Sequence, residues 1–378
     1  MSMLIESDWN DLECVLWHSD THVLEHWYRD QSDPSQPWYR STTISTRATG
    51  PGCLIQSSPI APNEHGDFQV VVPEDNNLVH YRRDNSNGSD QTWTLDAIVS
   101  NKATGAGSMI QSTYGTPNYP GNFEVVVLEG GNLVHYSHDN SQPNPQWSGP
   151  TVIMDTAVGS AALIQSTFGI PNHPGNFEVV VPSHISGSYN NQLQHWYRDN
   201  SNMQWHFGEA VLDQEYGLYI HSPSLIQSTY GTPTYPGNFE VIVVDTWANL
   251  LHLFKPNNVA NSQWYIDANI IPEKGEIANP GPNALIQSNY NQSEGMTGNF
   301  EVITVPTDSY QYWHRDNGQA GQPWIPGPTI TNAYPPSSRT PVTDLHEDTQ
   351  RASEAQAKRN FSPLPRTGAV YTPPIALK

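Results

Sequence analysis

The sequence predicts an all-β chain: a six-bladed β-propeller of four-stranded antiparallel blades, with an irregular C-terminal tail. Three observations predict it. The 378 residues include 32 Pro and 27 Gly but only 14% charged side chains, a composition opposed to helical bundles and coiled coils. Aromatic residues make up 10%, enough apolar payload to oppose wholesale disorder. Most telling, one pattern returns six times along the chain.

Each copy opens on Leu-Ile-Gln-Ser, starting at Leu54, Met109 (as Met-Ile-Gln-Ser), Leu163, Leu225 and Leu285, with Leu-Ile-Glu-Ser at Leu4. This short apolar run reads as strand a. About a dozen residues on comes Gly-Asn-Phe-Glu-Val at Gly121, Gly175, Gly237 and Gly298, and Gly-Asp-Phe-Gln-Val at Gly66. In the first copy Asn10–Val15 stands in. The run that follows is almost continuously apolar, as in Val125–Leu128, so strand b is buried on both faces, as when sheets stack on sheets. Strand c carries Leu-x-His-aromatic, with the imidazole at His26, His80, His135, His195 and His252 and Tyr312 in the sixth copy. Arg-Asp-Asn follows at Arg83, Arg198 and Arg315, where Asp and Asn suit an Asx-type turn. Strand d starts at a Trp: Trp38, Trp93, Trp147, Trp205, Trp264 or Trp324. Runs of β-branched and aromatic residues bounded by Gly, Pro and Asn are strands, and four-stranded units repeated radially make a propeller.

The propeller takes residues 1–332, with repeats over about 4–53, 54–108, 109–162, 163–224, 225–284 and 285–332. Residues 333–378 form a Pro-rich tail in which Glu347–Arg359 has the composition of one short helix. The tail wraps the propeller or completes a blade.

The net charge of −21 repels phosphate backbones and anionic bilayers, so neither nucleic acid nor membrane is expected as a partner. The N-terminus lacks a basic and apolar leader, and no apolar run approaches membrane-spanning length. The expected protein is soluble, cytoplasmic or exported by an unconventional route. Cys14 and Cys53 lie in apolar runs and read as buried thiols. There is no phosphate-binding glycine loop, His-Glu-x-x-His or Cys pair at zinc spacing, so no cofactor and no metal site are expected.

Antiparallel blades put the a–b and c–d loops on one face and the b–c and d–a loops on the other. The a–b loops gather Tyr114, Tyr119, Phe168, His173, Tyr230, Tyr235 and Tyr290. These either form an aromatic collar for sugar rings or pack between blades. The opposite face is asymmetric. It holds His18 and His22 in the first copy, the long fourth-copy loops with His184, Tyr189, Glu215, Tyr219 and His221, and Trp247 in the fifth. Irregular loops on a rigid scaffold suit a single site. There His18, His22, His184, His221 and Glu215 are candidate acid–base groups, with Tyr189, Tyr219 and Trp247 as walls.

The recurrent strand-c His reads as framework, bonded to the neighbouring blade or to the Asp of Arg-Asp-Asn. The strand-b Glu (Glu124, Glu178, Glu240 and their equivalents) needs a partner, and the strand-a Gln lies beside it. Their two readings are a polar ring stapling the blades and repeated recognition of sugar hydroxyls.

Four-stranded repeats that end in Trp, six in a row, resemble the fungal and bacterial fucose-specific-lectin-like propellers. The resemblance covers the repeats, not the tail. It implies sugar sites between blades, where a repeated Arg, a Glu and aromatics grip fucose; here the repeated Arg stands at Arg83, Arg198 and Arg315. Some fungal proteins similar to these lectins act as cyclases in natural-product pathways, including hetero-Diels–Alder catalysts. The expectation placed first is a lectin-like module with a glycan ligand. The alternative is a cyclase, isomerase or lyase that holds a small-molecule natural-product intermediate in one pocket.

Overall fold

The computed structural model describes residues 3–330 apart from 34–35, 60–63, 87–90, 115–120, 143, 169–173, 185–190, 213–222, 230–236, 246–248, 259–260, 272–282, 291–297 and 306–308. The tail and its expected helix lie outside the described residues.

Twenty-four strands form six four-stranded antiparallel sheets, each from four consecutive strands. The first sheet is β1 (Leu4–Glu6), β2 (Leu12–His18), β3 (Val23–Arg29) and β4 (Trp38–Ser45). The second is β5 (Cys53–Gln56), β6 (Phe68–Glu74), β7 (Asn77–Arg83) and β8 (Thr94–Ser100). The third is β9 (Ser108–Gln111), β10 (Phe123–Glu129), β11 (Asn132–His138) and β12 (Trp147–Met154). The fourth is β13 (Ala162–Gln165), β14 (Phe177–His184), β15 (Asn191–Asp199) and β16 (Gln204–Leu212). The fifth is β17 (Ser224–Gln227), β18 (Phe239–Val244), β19 (Leu250–Lys255) and β20 (Tyr265–Asn269). The sixth is β21 (Ala284–Gln287), β22 (Phe300–Thr304), β23 (Tyr310–Arg315) and β24 (Trp324–Ile330). The inner strands β1, β5, β9, β13, β17 and β21 each touch the next, and β21 touches β1, so the ring is closed. This is the expected six-bladed propeller.

The second strand of every sheet is buried on both faces, and the apolar core lies between neighbouring sheets. Val125, Val127 and Phe123 pack with Cys53, Val71 and Leu78, while Val126 packs with Phe177 and Val179 on the other side. Burying each such side chain contributes about 1.5–3 kcal/mol before entropy is counted. Both cysteines are buried free thiols, and burial pushes the Cys14 thiol up. The outer strands are half-exposed edges, and each carries a register irregularity opposite the third strand, the kind of kink that blunts an edge.

The repeat signature is one bonded unit. In the fourth sheet Gln165 Nε2 donates to Gly175 O at 3.0 Å, and Asn200 Nδ2 donates to the same oxygen at 2.5 Å. So Leu-Ile-Gln-Ser, Gly-Asn-Phe and the final Asn of Arg-Asp-Asn meet at one carbonyl. The same oxygen takes the equivalent Gln and Asn in the second, third, fifth and sixth sheets. Glycine is required there because a Cβ would sit 1.4–1.7 Å from the carbonyl oxygen of the Ser after Gln. The meeting of a–b and c–d loops also establishes that they share a face.

The Gln side chains join the sheets as well. Gln165 Oε1 accepts from Thr113 N of the third sheet at 2.7 Å. Equivalent bonds run from Asp8 to Gln56, Ser58 to Gln111, Thr167 to Gln227 and Thr229 to Gln287. Asn289 N donates to Glu6 Oε2 at 2.8 Å and completes the circle. The strand-a Gln thus staples neighbouring blades, through backbone N–H groups and the Asp8, Thr113, Thr167 and Thr229 side chains and not through the strand-b Glu. The expected Asx turns are present: Asp30, Asp84, Asp139, Asp199 and Asp316 each accept from a backbone N–H two residues on.

Candidate functional site

Among the described residues, buried indole nitrogens without a hydrogen-bond partner recur at one equivalent position in every crevice between sheets. Each crevice is built from the same positions. The preceding sheet supplies the third-strand His (Tyr312 in the sixth sheet); the following sheet supplies a Phe from its second strand (Leu12 in the first sheet), a basic residue at the end of its third, and the Trp that opens its fourth. The basic residues are Arg29, Arg83, His138, Arg198, Lys255 and Arg315, paired in register with Leu12, Phe68, Phe123, Phe177, Phe239 and Phe300. Only three of these six were visible as Arg-Asp-Asn. Alignment by strand register reveals Arg29, His138 and Lys255 as their equivalents.

The guanidinium carbons lie over the phenylalanine faces, 4.6 Å for Arg83, 4.1 Å for Arg198 and 4.3 Å for Arg315. This desolvated cation–π packing fixes their direction. In the same three residues Nε donates to the Asn two positions on, at 2.7–2.9 Å.

The third-strand His is buried and bonds a strand-b carboxylate of its own sheet. Distances are 2.8 Å for His26–Glu13, 2.8 Å for His135–Glu124, 2.9 Å for His195–Glu178 and 3.1 Å for His252–Glu240. Gln69 takes that place for His80. The sequence had suggested the neighbouring blade or the Arg-Asp-Asn Asp as partner; the diagonal position one strand over is nearer and shares the face. Burial pushes Glu301 of the sixth sheet up to about 7, offset in part by the hydrogen bond from Tyr312.

Next to the third-strand ring, the register shift of the fourth strand falls at Ser41, Asp96, Gly149–Pro150, Gly208, Asp267 and Gly327–Pro328 in the six sheets. Asp96 and Asp267 each reach the imidazole at 3.0 Å. The hydrogen bond from His80, opposed by burial, holds the Asp96 carboxyl below its usual range. Burial works against the Asp267 carboxylate too, yet His252 and Arg315 together hold it low. In the first sheet Nδ1 of His26 is met instead by Arg83 of the second, at 3.1 Å.

The recurrent Trp crosses each crevice onto the third-strand ring of the preceding sheet. Centroid separations are 5.8 Å for Trp93–His26, Trp147–His80 and Trp205–His135, 6.2 Å for Trp264–His195, 5.6 Å for Trp324–His252 and 6.0 Å for Trp38–Tyr312. All six indole Nε1 atoms are buried and lack a hydrogen-bond partner among the described residues. The same is true of Trp313, which with Trp324, Asn269, Gln322 and Pro323 lines a cleft of about 440 Å³ between the fifth and sixth sheets.

Of the collar aromatics, Tyr114 packs on Phe177 of the next sheet at 5.9 Å and donates its hydroxyl to Asn200 O. Phe168 packs on Phe239, and Tyr290 accepts from Gln36 of the first sheet. Tyr119, His173, Tyr230 and Tyr235 lie outside the described residues, as do Tyr189, Glu215, Tyr219, His221 and Trp247. On the opposite face His18 ends β2 and bonds Glu25 at 3.2 Å. His22 takes a left-handed backbone conformation and faces Ala48 O, and His184 ends β14 exposed. No described hydrogen bond or ring contact joins these three histidines to one another.

No protein-family model matches the chain, and no curated protein sequence matches it. Solved structures do. A triple arginine-to-alanine variant of AofleA from Arthrobotrys oligospora aligns with TM-score 0.60 at 11% identity, covering 85% of this chain and 84% of that one. The BP39L lectin of Burkholderia pseudomallei aligns with TM-score 0.56 at 16% identity, over 88% and 83%. The six-bladed fungal lectin of Aleuria aurantia, described by its fucose recognition mode, aligns with TM-score 0.55 at 14% identity, over 86% and 92%. The chain therefore has the fold of these lectin propellers.

Proposed function

We propose that the protein is a carbohydrate-binding propeller whose repeated sites are the crevices between sheets. The observation that carries this reading is the set of six buried indole N–H groups without partners, one per crevice. A buried donor left unpaired costs about 1–3 kcal/mol, and a ligand hydroxyl entering the crevice would remove that cost. An indole also offers an apolar face to a sugar ring. Trp38 is only 2% exposed and fills the crevice between the sixth and first sheets, so at most five sites are expected. The cleft beside Trp313 and Trp324, about 440 Å³, is the natural first site. The likeness in fold to fungal and bacterial lectins supports the same reading. No described contact gathers His18, His22 and His184 into one pocket, which leaves the single-pocket enzyme with less support.

Calorimetry against a panel of methyl glycosides, led by methyl α-L-fucoside, tests the proposal. Two to five sites per chain are expected, each weak alone and strengthened by avidity on multivalent glycans. Absence of heat with every glycoside, or a single site untouched by Trp→Phe changes at the six indoles, overturns it.

A further inference from the structure

Arg198 stands apart from the other crevice cations. It is 5% exposed, and its Nη2 is buried without a hydrogen-bond partner. No carboxylate forms an ion pair with it among the described residues. Arg315 has Asp267 at 2.7 Å, Arg83 has His26, Lys255 has Glu209, and His138 faces the sheet that carries Asp96. The reason is local: at the position equivalent to Asp267, the register shift in the outer strand of the third sheet holds Gly149 and Pro150, which have no acid to offer. Arg29 also lacks an ion pair, and its Nε and Nη1 are buried without a hydrogen-bond partner, but Gln36 accepts from its Nη2 and the buried Trp38 closes that crevice.

Beside Arg198, directly opposite in the strand register, stands Trp205 with its own unpartnered Nε1. Trp205 is only half-buried, so this crevice is reachable. The pair presents two donors, one of them a fixed cation, and no acceptor. Phe177 and Tyr114 hold the guanidinium plane at 4.1 and 5.5 Å. Asn200 takes Nε and the Tyr114 hydroxyl interacts with the guanidinium, which leaves Nη2 for the ligand. A buried guanidinium whose nearest counter-charge is Glu124, acting through space and already bonded to His135, is costly, and burial pulls Arg198 below its ordinary value. A planar fork of donors matches a planar or tetrahedral oxyanion.

We propose that the crevice between the third and fourth sheets binds an oxyanion, a carboxylate or sulfate carried on a small ligand such as an acidic sugar, through Arg198 and Trp205. This rests on the crevices being ligand sites, and it makes one of them different in kind from the rest. With a chain of net charge −21, binding depends on short contacts rather than on long-range attraction.

The test compares methyl β-D-glucuronide, methyl β-D-glucoside and inorganic sulfate on the full chain. Calorimetry is paired with the indole N–H resonances of ¹⁵N-tryptophan-labelled protein, with the Trp205 signal assigned from Trp205→Phe. Glucuronide is expected to move the Trp205 resonance and to bind at least about tenfold tighter there than glucoside. Sulfate alone is expected to compete at that signal only. Arg198→Gln should remove the preference. Because that change could also cost stability, Asp267→Ala provides a second arm: it frees Arg315 and should create a new sulfate response at Trp324. Equal responses to glucuronide and glucoside, or no sulfate response at Trp205 in the unaltered protein, overturns the proposal. If glucoside moves several indoles without any anion preference, the crevice sites stand and the oxyanion site falls. If only the anions act, and only at Trp205, the repeated neutral sites fall and this one stands.

Discussion

Between the fifth and sixth sheets Arg315 reaches Asp267 at 2.7 Å, and Asp267 reaches His252 at 3.0 Å. Between the third and fourth sheets Arg198 and His135 occupy the same positions, yet Pro150 stands where Asp267 would be. One side chain at one register irregularity separates a neutralised crevice from one that keeps a buried positive charge. A propeller can thus hold its framework constant and set the chemistry of each site from a position that the fold leaves free. The β-bulge is such a position, because its extra residue does not take part in the regular ladder.

The largest effect should come from breaking this pair directly. Arg315→Met leaves the Asp267 carboxylate with His252 as its one remaining partner among those described and should cost roughly 2 kcal/mol, scaled down from the fully buried case because Asp267 is partly exposed. Arg198→Met strands no acid and should cost about 1 kcal/mol, the worth of its bond to Asn200. Urea denaturation of both variants measures the gap; equal losses would mean that Asp267 does not distinguish the crevices.

A comparable effect, set by pH, belongs to the sixth sheet, where Tyr312 replaces the usual His. Glu301 has a folded-state pKa raised to about 7, so between its ordinary value near 4.5 and 7 the native state holds more protons than the unfolded one. Stability should therefore fall as pH rises through that window, by at most about 3 kcal/mol. Glu301→Gln should flatten this slope, read from denaturation midpoints at pH 5 and pH 8. Asp96 and Asp267 act in the opposite sense: both are held low, so their contribution is complete above about pH 4 and fades in stronger acid.

The smallest effect concerns what both crevices share. Gln165→Ala removes bonds to Gly175 O and to Thr113 N and Oγ1, on a partly exposed rim. A loss of about 1 kcal/mol is expected in thermal or urea unfolding, with no change in the ligand preference of the third–fourth crevice.

The fold was readable because six copies of a four-strand pattern leave few other arrangements. The residues of the repeat signature were readable too, but not their bonds. Co-occurrence places Gln165, Gly175 and Asn200 in every copy without saying that they meet at one carbonyl, because the a–b and c–d loops converge only in three dimensions. The crevice cations were half-hidden, since His138 and Lys255 match Arg198 in register and not in residue type. Asp96, Pro150 and Asp267 carried no signal at all: nothing in a strand's local pattern announces an extra residue, and the copies differ there. Repetition reveals what the blades have in common, and the differences between sites lie where repetition stops.

Each sheet is completed by four consecutive strands, so its hairpins form from near neighbours. Closing the circle instead joins residues 283 and 293 positions apart, in the bonds from Asn289 to Glu6 and from Trp17 to Tyr310. Contacts of that separation carry the loop-closure entropy of the whole chain and form late. Opening the chain between Ser45 and Cys53 while linking residue 330 to residue 3 would cut no sheet. Such a circular permutant would turn the present closing seam into an ordinary neighbour step and move the slow step one blade along.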